Sequence, residues 1–124
     1  MANSILIVED DLTFSMMLKT WLTRKGFDVS TASSVGAACR ELEKSSVNLI
    51  LSDLRLPDGD GTSLLEWTKE HGVRVPVIIM TSYADIQSAV NAMKGGASDY
   101  VSKPVQPDEL LRKIEDAVKA SAAS

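Results

Sequence analysis

Five short apolar runs divide the chain: ILIV at 5–8, FDVSTA at 27–32, NLILS at 48–52, PVIIMT at 76–81 and DYVSK at 99–103. Four of them are aliphatic or β-branched with little alternation, the pattern of strands covered on both faces. The second alternates in part, which suits a place nearer an edge. Between the runs the apolar period lengthens to that of a helix. Phe14, Met17, Leu18, Trp21 and Leu22 form one stripe over residues 12–25, and Gly26 stands where a C-terminal glycine closes a helix. Val35, Ala38, Cys39 and Leu42 repeat over 35–44, Leu64, Leu65 and Thr68 over 62–71, and Ile86, Ala89, Val90 and Met93 over 85–94, with Asp85 as its cap. Pro107, Asp108 and Glu109 open the last helix, whose apolar face is Leu110, Leu111, Ile114, Ala117 and Val118. Strand and helix thus alternate five times. The fold class that follows is α/β: a (βα)5 doubly wound, five-stranded parallel sheet with right-handed crossovers. One domain is expected over 1–120, with 121–124 as a tail or the start of a linker.

Composition narrows the function. With 44% hydrophobic residues the chain can build a core. Its 13 basic and 17 acidic side chains leave a net charge of −4, which argues against direct nucleic-acid contact by this segment. The apolar runs are too short to span a membrane, and no secretory leader pattern opens the sequence. The single cysteine, Cys39, excludes an internal disulfide and reads as a small buried hydrophobe. These features point to a soluble, cytoplasmic protein.

Two of the oily runs end on carboxylates. The first stops at Glu9-Asp10-Asp11 and the third at Asp53. In sheets of this class, ligands bind beyond the carboxyl ends of the strands, where strand order reverses. A 2-1-3-4-5 order brings together Glu9 and Asp10, Asp53, Thr81 and Lys103, while the second strand offers no chemical group there. Three negative charges and one positive leave −2. Unit charges ~4 Å apart interact by roughly 4 kcal/mol at an effective dielectric of ~20, so the cluster needs a counter-ion. Oxygen-only donors favour a hard divalent cation, and Mg²⁺ is the best match. Asp11 reads instead as the cap of the first helix.

Other short motifs fail on context. DGDGT at 58–62 is superficially like the D-x-D-x-T nucleophile of aspartyl-phosphate phosphatases, but RLP separates it from the buried strand. As an EF-hand loop the same stretch has Ser63 and Lys69 where Gly and Glu are required. It lacks the third glycine of a dinucleotide fingerprint, and there is no P-loop. His71, beside Gly72, reads as a solvated helix end.

Taken together, ILIVEDD, SDLRLPDGDG, IIMTS and DYVSKP resemble the receiver domain of two-component response regulators over essentially the whole chain. The resemblance implies that Asp53 accepts a phosphoryl group from the phosphohistidine of a sensor histidine kinase or phosphotransfer protein. Such a domain catalyses its own phosphorylation and dephosphorylation and is not a conventional multiple-turnover enzyme. By the same resemblance Asp10 binds Mg²⁺ directly and Glu9 through water, with Asp53 and the backbone carbonyl of Arg55 completing the protein ligands. Thr81 and Lys103 fall on the hydroxyl and lysine of the reaction centre, Tyr100 on the switch aromatic, and Pro57 and Gly61 on the turn after the acceptor. Lys103-Pro104 is expected to be cis. The surface of the fourth helix, fifth strand and fifth helix is expected to change on phosphorylation and to control a partner or a C-terminal output domain outside this chain, with transcription as the regulated process. Homodimerisation on phosphorylation is left open. Asp99, Glu109 and Lys113 match part of the dimer set of the winged-helix subfamily, but Ala89 and Ala120 stand where its basic partners are expected. Tyr83 and Arg55 are expected to flank the path of an attacking water and to slow hydrolysis. A receiver-like interaction module that never takes phosphate is the alternative.

Overall fold

The computed structural model describes residues 3–82 and 86–123. Its elements are β1 (Ser4–Val8), α1 (Leu12–Arg24), β2 (Asp28–Ala32), α2 (Val35–Lys44), β3 (Leu49–Asp53), β4 (Arg55–Leu56), β5 (Gly59–Asp60), α3 (Gly61–Glu70), β6 (Val77–Ser82), α4 (Ile86–Lys94), β7 (Asp99–Lys103) and α5 (Pro107–Ala123). The main sheet runs β2-β1-β3-β6-β7, all parallel. Counting only its own strands, that is the expected 2-1-3-4-5 order. The two-residue strands β4 and β5 form a separate antiparallel hairpin, which the sequence did not announce.

Alternation along the central strands splits the core into two layers. Ile5, Ile7, Leu49, Leu51, Ile78, Met80 and Val101 face Leu18 and Leu22 of α1 and Leu110 and Ile114 of α5. Leu6, Val8, Ile50 and Ile79 face Ala38 of α2, Leu64 and Leu65 of α3 and Ala92 of α4. The three central strands are therefore sealed on both sides, which explains their unbroken apolar sequence. β2 lies at one edge, as expected. β7 lies at the other edge, and only Val101 in it is buried, so DYVSK is not covered on both faces as its composition suggested.

Helix ends follow local chemistry. Asp11 caps α1 by accepting the Phe14 N–H at 3.1 Å, and Gly26, with φ of 97°, takes the left-handed position just beyond the helix. Several apolar stripes turn out to be rotated from their expected facing. Met17 is 57% exposed and Ser15 is buried in α1. In α4, Ala89 and Ala92 face inward, while Ile86, Val90 and Met93 lie on the exposed side. Small residues let that helix approach the sheet closely, and the larger ones are left outside. Leu111, Ala117 and Val118 of α5 are only partly buried. Cys39 is likewise half-buried, packed against the α2–α3–α4 layer. The expected cap Asp85 and the flanking residue Tyr83 lie outside the described residues. Among the described residues no helix is long and apolar enough to cross a membrane.

Candidate functional site at the carboxyl ends of the strands

The period-two alternation that sorts the core also sorts the site. Glu9 continues the facing of Ile5 and Ile7, Asp53 that of Leu49 and Leu51, and Lys103 that of Val101, all on the α1–α5 side. Parallel pairing in register sets the strand ends side by side: Val8 lies against Ser52, Asp53 against Met80 and Ser82 against Lys103. The result is a compact cluster in which one carboxylate oxygen from each of Glu9, Asp10 and Asp53 lies within 4.8 Å of the others.

Lys103 closes this cluster. Its ammonium donates to Glu9 Oε1 at 2.7 Å and stands 3.2 Å from Asp53 Oδ2. It also sits 4.8 Å above the centre of the Phe14 ring, which provides a cation–π wall from α1. In the sequence Phe14 is one member of the apolar stripe over residues 12–25. Nothing in a helical stripe distinguishes a ring packed on aliphatics from one packed under a cation.

Glu9 is 1% exposed, and burial is the main cause that pushes its carboxyl from the ordinary 4.5 to about 7. Hydrogen bonds from Lys103 and from the Asp11 backbone N–H pull it down, and the neighbouring Asp53 adds to the rise. Burial would lower Lys103, but the hydrogen bond to Glu9 and the charges of Asp53 and Glu9 outweigh it and hold the ammonium above its usual 10.5. An acid raised in this way retains its proton in the folded chain where the unfolded chain has lost it. Its stabilising contribution is full below 4.5 and disappears as pH climbs to about 7. The metal-free protein should thus lose on the order of 2–3 kcal/mol from this group between pH 5 and 8. Urea midpoints in chelator should fall over that range and stay flatter in Glu9→Gln; equal slopes in the two proteins would contradict the assignment.

The other expected residues occupy the opposite facing. Thr81, fully buried, follows Met80 and continues the facing of Val77 and Ile79. Its Oγ1 donates to the Ser82 carbonyl at 3.2 Å. Tyr100 is half-buried and packs against the same layer. Lys113 of α5 holds it from two directions, donating to the Tyr100 carbonyl at 2.6 Å with its ammonium 5.4 Å from the ring centre. Lys113 also pairs with Asp99 at 3.4 Å and Glu109 at 3.3 Å, so the charged trio seen in the sequence is satisfied within one chain. Arg55 is exposed and opens the hairpin two residues after Asp53. The Lys103-Pro104 bond is cis.

Space behind β3 is tight. A methyl group built on Gly61 would lie 2.7 Å from Ile79 Cδ1 and 3.4 Å from the Asp53 carbonyl oxygen. Glycine at 61 is what lets α3 start directly behind Asp53. Away from the site, His71 is the exposed C-cap of α3, as expected, with its ring stacked 4.2 Å from Trp67.

The donor set passes a simple chemical test. Fully ionised, three carboxylates and one ammonium sum to −2, all donors are oxygen, and Asp10 is open to solvent for a hydrated ion. A hard divalent cation fits these residues.

The family model of the response regulator receiver domain matches residues 5–115. The chain is 38% identical over 116 residues to the DNA-binding transcriptional regulator NtrC of Proteus hauseri, covering 94% of this chain and 24% of that protein. It is 37% identical over 117 residues to the regulatory protein AtoC of Escherichia coli, covering 94% and 25%. It thus spans about a quarter of the length of these relatives. Among solved structures, a response regulator of Chloroflexus aurantiacus superposes with a TM-score of 0.91 at 29% identity, covering 96% of this chain and 99% of that one. NtrX of Brucella abortus, in complex with ADP, gives 0.93 at 28% identity, covering 99% of this chain and 28% of that one. Matched by the family model across most of its length and folded around the acid–lysine cluster at the strand ends, the chain belongs to the response regulator receiver domain family.

Proposed function

We propose that the chain is a cytoplasmic phosphoacceptor switch. The observation that carries this reading is the convergence of Glu9, Asp10, Asp53 and Lys103 on one pocket. An Asp53 oxygen attacks the phosphorus of a phosphohistidine on a sensor kinase or phosphotransfer protein. An O–P bond forms, the P–N bond breaks, and the imidazole leaves with the electron pair and takes up a proton. Lys103 neutralises charge gathering on the equatorial oxygens. Asp10, Asp53 and the Arg55 carbonyl would hold Mg²⁺ directly, with Glu9 one water away. When bound, the ion supplies positive charge to the transferring oxygens.

Conversion of Asp53 to an acyl phosphate adds formal charge and acceptor oxygens beside the sheet. Thr81 reaches toward them from the α4 side, and Tyr100 repacks into the volume it leaves. The α4–β7–α5 surface then changes and acts on an output domain outside this chain or on a partner. The relatives named as transcriptional regulators support transcription as the process controlled. Their length, about four times the matched segment, supports an output domain beyond it.

Beryllofluoride with Mg²⁺ mimics the acyl phosphate. In the parent, amide shifts should spread from Asp53 to α4, Tyr100 and α5. In Thr81→Ala the mimic should still bind while the distant shifts collapse. Shifts confined to the neighbours of Asp53 in the parent would end the switch reading and leave a receiver-like interaction module.

A further inference from the structure

The Asp58-Gly59-Asp60-Gly61 stretch holds two carboxylates to which the phosphoacceptor reading gives no role. Both end on helix amides. Asp60 caps its own helix, its Oδ1 accepting from the Thr62 and Ser63 N–H groups at 3.0 and 3.1 Å. Asp58 reaches elsewhere. Its Oδ1 accepts from Val35 N–H at 2.8 Å and its Oδ2 from Gly36 N–H at 3.0 Å, so both oxygens grip the first turn of α2. That helix already has a cap, since Ser34 Oγ accepts from Ala37 N–H at 3.0 Å. Asp58 takes the two amides that Ser34 leaves over. Those two backbone bonds are also the leading causes that hold the Asp58 carboxyl below its ordinary value.

The position of Asp58 gives this contact its consequence. Pro57 and Asp58 form the tip of the β4–β5 hairpin, whose ladder is only the pairs Arg55–Asp60 and Leu56–Gly59. So short a ladder does not hold itself in place. At its base, Gly61 N–H donates to the Leu54 carbonyl at 3.0 Å and Leu56 is buried in the core, while at its tip Asp58 reaches out to α2. The two surfaces also meet closely: a methyl built on Gly59 would lie 3.3 Å from Val35 Cγ2, and one on Gly36 3.4 Å from Asp58 Oδ2.

We propose that Asp58 is a positioning residue, a two-pronged latch to α2 that fixes the hairpin and thereby aims the Arg55 carbonyl at the divalent-cation site. The latch touches neither ion nor phosphoryl group. The proposal rests on the reading of Arg55 as a metal ligand, and its test separates the two.

Magnesium titrations followed by the rise in melting temperature should show a half-saturating concentration roughly ten-fold higher in Asp58→Ala, the low end of the loss expected when a ligand's outer support is removed. Ser34→Ala is the control, because it weakens the start of the same helix without touching the hairpin. Its half-saturation should match the parent. At saturating Mg²⁺, phosphorylation of Asp58→Ala by a small phosphodonor should return to near the parental rate. A metal-free readout accompanies these: amide exchange at Gly59 and Gly61 should quicken in Asp58→Ala and not in Ser34→Ala. An unmoved magnesium midpoint with unmoved exchange in Asp58→Ala overturns the latch. Equal shifts in both variants also overturn it, since the effect would then run through the stability of α2. Quickened exchange with an unmoved midpoint in a metal-responsive parent rejects the aiming role. A parent with no magnesium response refutes the metal-ligand reading, and with it the aiming of Arg55, while exchange still decides whether Asp58 pins the hairpin.

Discussion

Replacing Lys103 with methionine should slow phosphorylation by a small phosphodonor by about 10²–10³-fold, the usual cost of removing one positioned charge-stabilising donor. Methionine keeps an apolar side chain of similar length and deletes the ammonium that lies 2.7 Å from Glu9, 3.2 Å from Asp53 and over the Phe14 ring. Two consequences separate this loss from a folding defect or a metal defect. The pocket goes from a formal −2 to −3, so Mg²⁺ should bind at least as tightly as in the parent. Added Mg²⁺ should therefore not restore the rate. Lys103→Arg retains charge in a planar fork of different reach and should fall between the two. The measurement is a time course of intact mass at saturating Mg²⁺. A parental rate in Lys103→Met would remove Lys103 from the chemistry.

Mg²⁺ should stabilise the folded chain strongly. An ion at 100 times its dissociation constant adds about 2.7 kcal/mol to the free energy of unfolding. For a domain of this size that is a rise in Tm on the order of 10 °C. The gain comes from relieving repulsion among Glu9, Asp10 and Asp53, whose oxygens crowd within 4.8 Å. Asp10→Asn should lose most of it, because it removes the exposed ligand at the mouth of the cluster. The same change relieves crowding, so the metal-free variant should melt no lower than the parent. Thermal unfolding in chelator and in excess Mg²⁺ gives all four values. Equal metal responses in variant and parent would place the ion elsewhere.

Much of this site could be read before any coordinates, for one physical reason. A strand buried on both faces has no use for an ionised group, so Glu9 and Asp53 at the ends of ILIV and LILS mark where the sheet stops being core. The alternation of strand and helix then places those ends together. What escaped was information that period alone does not carry. The stripe in α4 held both Ala89 and Val90, and the pattern could not say that the alanines face the sheet while Val90 faces out. The β4–β5 hairpin is too short to have a period. Phe14 under Lys103 and Asp58 on α2 are contacts between residues 89 and 22–23 positions apart, invisible to any local window. Thr81 was legible as the polar end of its strand, whereas Tyr100 followed from the resemblance alone, and the alternation of β6 and β7 accounts for why both face away from Glu9.

The central claim is that the cluster receives a phosphoryl group on Asp53 itself. Intact mass after incubation with acetyl phosphate and Mg²⁺ tests it most directly, with Asp53→Asn and a chelator-treated parent alongside. The account predicts a gain of one phosphoryl mass in the parent and none in either of the other two. An unmodified parent, or an equal gain in Asp53→Asn, would contradict it.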